Sequence, residues 1–480
     1  MNFPLPNFLP ALPEIFLLAM ACVVLLVDIF LTDRSRGATY ILAMASLLGV
    51  CVLVALSFSH SRILTFSDTF VRDPMADALK MGIAIAGMVT FLYAKDYLRE
   101  HGMFKGEFYI LGLFGVLGMM ILVSAHNFLT IYLGLELLSL CMYAMVAMQR
   151  DSANASEAAM KYFVLGAIAS GMLLYGMSIL YGVTGTLDLG LINERLPGVQ
   201  DKILLSFGMV FLIVGIAFKL GAVPFHMWMP DVYQGSPTAV TLYLAAAPKL
   251  AAFAMLMRLL VDGMASLHGQ WQDILILLAV ASMAVGNIIA IAQANLKRML
   301  AYSAISHVGY LLLGMLTGSI DGYAASMFYA LVYVLMSLGA FGMIMLMSRQ
   351  GFESDRLEDF KGLNERSPWF AFIMMILMFS MAGVPPFLGF WAKLSVLKAL
   401  VQSTGLLWLA ITAVVFSIIG AFYYLRVIKL MYFDKAEDAS ALVASNDMRV
   451  VLSANGLLVL GLGLYPGLLL AFCLATIVSP

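Results

Sequence analysis

The chain has 480 residues, of which 62% are hydrophobic and only 11% charged, with a formal net charge of −1. A soluble protein of this length would carry roughly twice that charged fraction, so an ordinary globular enzyme is excluded and an all-α polytopic membrane protein is indicated. A near-zero net charge leaves no footprint for nucleic acid or for a strongly acidic partner, and the lipid bilayer is the first partner implied. The four cysteines, Cys22, Cys51, Cys141 and Cys473, lie singly in apolar runs without metal-like spacing and read as packing residues. The stretch before Glu14 has no basic region and no small-residue cleavage site, so the first helix is expected to stay as an anchor.

In chain order, windows of about 20 apolar residues give about fourteen spans, near 8–31, 37–58, 76–95, 107–125, 127–148, 156–182, 203–235, 238–260, 271–293, 297–317, 321–348, 367–401, 404–428 and 448–477. The longest polar connections are Ser59–Asp73, Val183–Asp201 and Ser348–Pro368, too short for a soluble domain. The glycines around Gly461-Leu-Gly463 lack the strand–turn–helix setting of a phosphate loop.

Numbering each connection by the span before it, basic residues fall unevenly. Sixteen flank the odd-numbered connections, from Arg34 and Arg36 through Lys435 and Arg449, against five (Arg62, Arg72, Arg195, Lys202 and Arg258) at the even ones. The positive-inside rule puts the odd connections in the cytoplasm, and an even number of spans then leaves both termini outside.

The seventh and twelfth spans are interrupted. Gly221-Ala-Val-Pro224-Phe225 breaks the first and Gly383-Val-Pro385-Pro386-Phe387 the second, with Trp228 and Trp391 soon after each. Proline removes a backbone donor and stops a helix. Broken backbone at membrane depth is tolerated only where it is buried in protein or lines a wet cavity. An offset of five spans is odd, so the two broken units are expected to be inverted in the membrane, the arrangement that marks a transport site.

Six lysines fall inside spans: Lys80, Lys161, Lys219, Lys249, Lys393 and Lys398. Lys80 and Lys398 lie near span ends, where the stem can carry the charge to the interface. Lys219 and Lys249 are central, Lys393 follows the second break, and Glu136 is a carboxylate deep in a span with no basic neighbour in sequence. A charge at mid-membrane costs about 2.5–3.5 kcal/mol even on the lenient scale. Burial disfavours the charged form of lysine and a nearby carboxylate restores it, so such a row suits proton relay. The bland reading, a structural pair between Glu136 and one lysine, leaves the other charges unexplained. Lys161 has Glu157 four residues earlier, in the order that favours a local pair, yet lies one turn deeper. His307 shares a polar helical face with Ser303, Ser306 and Tyr310, and a relay or water-lining role is expected there. His226 at the first break relays or satisfies freed carbonyls. Asp231, beside Pro230, reads as a cap or loop ligand, and Asp28 as a structural charge. The 35 methionines are packing filler, not a metal site.

Three stretches together resemble one family: Lys219 to Pro237; Ala301-Tyr-Ser-Ala-Ile-Ser-His307-Val-Gly-Tyr310; and Gly383-Val-Pro-Pro-Phe-Leu-Gly-Phe-Trp-Ala-Lys393. They are similar to the antiporter-like subunits of respiratory complex I, whose family includes subunits of Mrp-type sodium/proton antiporters and membrane-bound hydrogenases. The resemblance covers nearly the whole chain. Within it, the L-type branch carries a long lateral helix and the M-type branch usually has glutamate where Lys393 stands, so length and Lys393 favour the N-type branch. The resemblance implies fourteen helices with two inverted five-helix repeats, each containing a broken helix. Three helices (1–106) would precede units at 107–262 and 270–432, and one helix would follow at 433–480.

It also implies roles. Glu136 and Lys219 match the family's ion pair, with Lys161 beside them, Lys249 matches the connecting lysine, His307 a polar-axis histidine and Lys393 the residue near the outward exit. Pro248, directly before Lys249, departs from the pattern and predicts a kink. Proton translocation driven by quinone reduction elsewhere in a complex follows. Flavin, iron–sulfur clusters and quinone are expected in partner subunits, alongside sibling antiporter-like subunits, in a bacterial inner membrane. No cofactor or metal is expected in this chain. Sodium/proton exchange is the competing reading, though it would favour more intramembrane carboxylates; a scaffold with fossil charges is the third.

Overall fold

A computed structural model describes residues 6–32, 35–436, 442 and 445–478; Arg34, one of the basic residues of the first connection, lies outside them. The helices are α1 Leu12–Ile29, α2 Gly37–Leu56, α3 Pro74–Glu100, α4 Gly106–Val123, α5 Phe128–Val146, α6 Ala153–Thr184, α7 Leu189–Arg195, α8 Lys202–Leu220, α9 Trp228–Gly235, α10 Thr238–Ala245, α11 Ala247–Leu256, α12 His268–Ile291, α13 Leu296–Met315, α14 Ile320–Met347, α15 Leu363–Arg366, α16 Pro368–Ala382, α17 Leu388–Thr404, α18 Leu407–Phe433, α19 Asn446–Leu464 and α20 Gly467–Val478. A small antiparallel hairpin, β1 (Ile63–Thr65) and β2 (Phe70–Arg72), joins α2 to α3. Every expected span coincides with a helix or with a pair of half-helices. Among the described residues, twelve helical segments are long and apolar enough to cross a membrane, and α16 and α20 are shorter apolar helices.

The helices start where short polar side chains cap apolar runs. Asp73, Asn127, Ser152, Asp201, Asn295, Ser319 and Ser445 each accept from an amide of the first turn, satisfying donors the helix leaves free. The span expected at 448–477 is split at Tyr465-Pro466 into α19 and α20, because proline cannot continue the ladder. The kink expected at Pro248 is present: Ala246, at φ −101° and ψ −95°, separates α10 from α11.

The segment Thr238–Asp262 and helix α14 are enclosed almost throughout and form the centre of the bundle. The outer helices present Leu133, Phe163, Phe207, Ile418 and Phe422 outward, as lipid or neighbouring subunits require. Close backbone approach fastens two helix pairs in the same way. A Cβ on Gly118 would lie 2.7 Å from the Leu138 amide nitrogen between α4 and α5, and one on Gly286 2.6 Å from that of Ser306 between α12 and α13.

The odd-numbered connections gather on one face, where residues from five of them line a common cleft, Tyr97 to Asp355. The even ones meet on the other. There Arg258 donates to Asp73 at 2.9 Å and to Asp262 at 3.0 Å, and Arg62 reaches Asp262 at 3.3 Å and His126 Nδ1 at 3.1 Å. Burial alone would raise the Asp73 carboxyl, but the Arg258 guanidinium outweighs it and holds the group below its ordinary range. Burial and then the Arg62 guanidinium push the His126 imidazole down.

Lys80 differs from expectation. It is fully enclosed, with Nζ 2.7 Å from Glu14 Oε1 and 5.1 Å from the centre of the Phe70 ring. The first turn of α1 brings a carboxylate to it, so its stem has no need to reach the interface. Lys398 is exposed, in keeping with a snorkelling stem. Asp28 accepts from the Thr39 hydroxyl at 2.5 Å and lies against Gly106 at the start of α4, a structural role.

Candidate functional site

Both interruptions are built alike. α8 ends on Gly221 at φ +80° and α16 on Gly383 at φ +88°, a left-handed conformation that glycine adopts without steric cost. In each case the glycine amide donates back to the last turn. The following loops hold Pro224 and His226, and Pro385 and Pro386, in half-buried to exposed positions. Ser282 of α12 supports the first loop by accepting from the Val223 amide at 2.9 Å. His226 contributes its backbone carbonyl to Met229, while its Nδ1 is buried without a hydrogen-bond partner among the described residues.

A helix that stops leaves its last carbonyls free and carries a partial negative charge there. At both breaks a lysine ammonium takes that place. Lys249, from α11, donates to the Leu220 carbonyl at 2.7 Å, and Lys393, from α17, donates to the Ala382 carbonyl at 2.9 Å. Each accepting residue is the last of its half-helix. Trp228 Nε1 takes a third carbonyl, that of Phe218, at 3.0 Å. Lys393 also donates to Ser417 Oγ at 2.9 Å and lies 5.0 Å from the centre of the Tyr310 ring.

His307 lies between the two lysines. Its Nδ1 is 2.6 Å from the Tyr329 hydroxyl and its Nε2 3.1 Å from that of Tyr424, which in turn is 2.5 Å from Ser303 Oγ. On one side, Tyr329 stacks on Tyr310, whose ring faces Lys393. On the other, Lys249 and His307 line a single cavity of about 10 Å³ with Leu220, Ala304 and Tyr333, close to the least room that holds one water. Lys249, His307 and Lys393 are all buried, and they are linked through that cavity on one side and through the rings of Tyr329 and Tyr310 on the other.

The first half of the expected row is arranged differently. Lys219 donates to Ser139 Oγ at 2.7 Å, and Ser139 donates to the Leu135 carbonyl at 2.5 Å. Glu136 lies one turn before Ser139 on α5, half-buried, with its Oε1 enclosed and without a hydrogen-bond partner among the described residues. No ion pair among the described residues joins Glu136 to Lys219; the serine stands at the lysine's tip instead. Lys161 is not beside them. It pairs with Glu157 at 2.7 Å and with Asp231 at 2.7 Å, its side chain 42% exposed on the basic face. Arg298 meets the other oxygen of Asp231 at 2.6 Å, so Asp231 ties the short helix α9 to both α6 and α13.

Sequence reasoning missed Ser139, Tyr329, Ser417 and Tyr424. Ser139 could have been found, since it lies three residues from Glu136 and hence on the same face. The tyrosines and Ser417 carry no such signal, because tyrosine and serine in an apolar helix read as packing.

Residues 125–420 match the family model described as NADH:quinone oxidoreductase/Mrp antiporter, transmembrane. The chain is 59% identical over 480 residues to an NADH-quinone oxidoreductase subunit N of Thioalkalivibrio sulfidiphilus, covering 99% of this chain and 100% of that protein. It is 58% identical over 480 residues to the protein of the same name in Thiobacillus denitrificans, covering 99% of each. Among solved structures, a chain of respiratory complex I from Thermus thermophilus superposes with a TM-score of 0.82 at 31% identity, over 96% of this chain and 98% of that one. A chain of the Mrp complex from Dietzia sp. superposes with a TM-score of 0.84 over 98% and 96%, and its 20% identity speaks for the fold alone. The whole length of this polytopic chain is thus accounted for by one architecture, and the chain belongs to the NADH:quinone oxidoreductase/Mrp antiporter family of membrane subunits.

Proposed function

We propose that the chain is a proton-translocating membrane subunit of a bacterial NADH:quinone oxidoreductase, working beside sibling subunits of similar build. The reading rests on one observation above the rest: two break-capping lysines, Lys249 and Lys393, with His307 and its tyrosines strung between them. A protonated lysine is favoured against the negative end of a half-helix. Once it releases its proton, the neutral amine becomes an acceptor, and the freed carbonyl invites the next cation. Neighbouring ammonium groups repel at low dielectric, so a proton arriving at one lysine promotes departure from the next. Lys219, held on Ser139, and Glu136, one turn before that serine on α5, form the first stage of the row, and Lys161 with Asp231 forms a charged group at the surface outside it.

The energy comes from quinone reduction in partner subunits, which hold the flavin, iron–sulfur clusters and quinone; this chain is a translocase component without redox chemistry of its own. The positive-inside count places the basic face in the cytoplasm and both termini in the periplasm of a bacterial inner membrane.

The test uses the assembled complex in sealed inverted vesicles, with quinone-coupled proton uptake compared against quinone reduction. Lys249→Met and Lys393→Met should each lower proton uptake about 100-fold, the scale of a lost positioned proton carrier, with the subunit still present in the complex. Undiminished pumping in both variants would reduce the chain to a scaffold. Sodium-dependent exchange by the isolated chain, lost in the variants, would make it an antiporter instead.

A further inference from the structure

Outside the buried row, Glu353 collects donors from three directions. It lies on the basic face, in the connection after α14. Its Oε2 accepts from the Tyr97 hydroxyl at 2.8 Å and its Oε1 from the Thr238 hydroxyl. Lys297 Nζ stands 3.8 Å from Oε1 and His101 Nε2 3.5 Å from Oε2. The titratable or charged groups around it are therefore Tyr97 of α3 and His101 just after that helix, Lys297 of α13, and Asp355 of its own connection, which shares the same cleft. That cleft has a volume of about 310 Å³ and is open to solvent. The Glu353 side chain is 28% exposed, whereas that of Lys297 is only 3% exposed. One carboxylate thus joins water to a buried ammonium.

The string continues inward. Lys297 donates to the Ser236 carbonyl at 2.7 Å, and Ser236 Oγ is 2.9 Å from Thr241 Oγ1 at the start of α10. Along α13, Lys297 shares a face with Ala304, Val308 and Leu311, three residues that line the small cavity between Lys249 and His307. Ala304 lies seven residues on, about 10 Å deeper at the helical rise. This face of α13 therefore runs from the cleft that Lys297 lines to the cavity beside Lys249 and His307.

We propose that Glu353 is the proton-loading carboxylate of an inlet on the basic face, delivering through Lys297 to Lys249 and His307. The inference rests on the proton-translocating reading given above. In the first step a hydronium ion gives its proton to the carboxylate, leaving water and a carboxylic acid. In the second, the acid O–H breaks and its proton forms an N–H bond on the Lys297 amine, after that lysine has passed its own proton inward. No electrons move, and each proton taken in matches one sent on.

Glu353→Gln keeps an oxygen for Tyr97 and Thr238 and removes the proton-carrying function. The assembled complex in inverted vesicles, with rates normalised to complex content, is followed as the pH on the basic face is moved from mildly acidic to mildly alkaline. The variant should pump nearly as wild type at the acidic end, where free protons reach Lys297 directly, and about tenfold more slowly at the alkaline end, where a delivery group matters most. Glu353→Asp should restore most of the loss. An equal loss at every pH would make Glu353 a structural latch and overturn the inlet. So would wild-type pumping by Glu353→Gln while Lys249→Met is inactive, and that result leaves the proton-translocating reading standing. Wild-type pumping by both variants would overturn the two together. Should Glu353→Gln fail to assemble, Lys297→Gln decides in the same assay: loss of pumping at every pH with the complex assembled supports the inlet, because acid rescue itself passes through Lys297, and wild-type pumping overturns it.

Discussion

The two helix breaks act as controls for each other. Both end on a left-handed glycine, and both place a lysine ammonium on the carbonyl just before it. They differ at the next position back, where α8 has Lys219 and α16 has Met381. The second break forms with a methionine there, so an ammonium at that position is no requirement of the break itself. A mid-membrane charge costs about 2.5–3.5 kcal/mol, and at Lys219 the structural return is a hydrogen bond to Ser139 rather than closure of the break. The two capping lysines also arrive by different routes. Lys393 comes from the half-helix that follows its own break, whereas Lys249 comes from α11, beyond α9 and α10. Closure of the first break therefore depends on where a separate helix stands, and closure of the second does not.

Copying the second break into the first is the most severe test of that contrast. Lys219→Met should leave assembly intact and amide exchange at residues 220–226 unchanged, while proton translocation by the complex falls about 100-fold. Faster exchange at the break would show that Lys219 holds it together after all. The reverse exchange, Met381→Lys, puts a charge into a site that is 2% exposed, without the serine that Lys219 finds. It should cost about 3 kcal/mol and lower the yield of assembled complex in a thermal or detergent challenge. Wild-type yield would mean that the second break accommodates a second cation.

A smaller effect is expected between the breaks. Tyr424→Phe removes a hydroxyl that contacts both His307 Nε2 and Ser303 Oγ, and hydrogen bonds of this kind contribute about 1 kcal/mol each. Translocation should fall about fivefold, with assembly unchanged. Tyr329→Phe acts on the other ring nitrogen, and the ratio of the two losses reports which nitrogen carries the proton onward. Equal rates for Tyr424→Phe and wild type would remove the hydroxyl from the route.

The breaks and the lysines were legible because each violates a rule of the bilayer: proline cannot donate, and a charge in an apolar run is costly. Gly221, Pro224, Gly383 and Pro386 therefore stand out from one sequence, as do Lys219, Lys249 and Lys393. Partnerships across the chain were not legible. Asp231 claims Lys161 from 70 residues away, and Glu14 claims Lys80 from 66. Neither distance leaves a periodic trace. The residues alone offered Glu136 any one of the lysines and the family resemblance implied Lys219, yet the group at that lysine's tip is a serine hydroxyl. Tyr329 and Tyr424 were invisible for the opposite reason, since aromatic side chains are ordinary in such helices. The cleft around Glu353 is assembled from five connections, none of which identifies it alone.

The mildest test concerns what supports each loop. At the first break the Val223 amide donates to Ser282 of the neighbouring helix α12. At the second, the Gly389 amide donates to Ser380 of the half-helix that has just ended. The first loop is thus fastened from outside and the second from within. Ser282→Ala leaves one part-buried amide unpaired, at a cost of about 1 kcal/mol. Amide exchange should quicken at residues 222–226 and stay unchanged at 383–389, with translocation reduced no more than about twofold. Ser380→Ala should give the mirror result, quickening 383–389 alone. If either serine loosens both loops, the breaks move as one body and the independence of their caps is lost. If Ser282→Ala loosens the first loop and also slows release from Lys249, the outside fastening is what holds Leu220 against that ammonium.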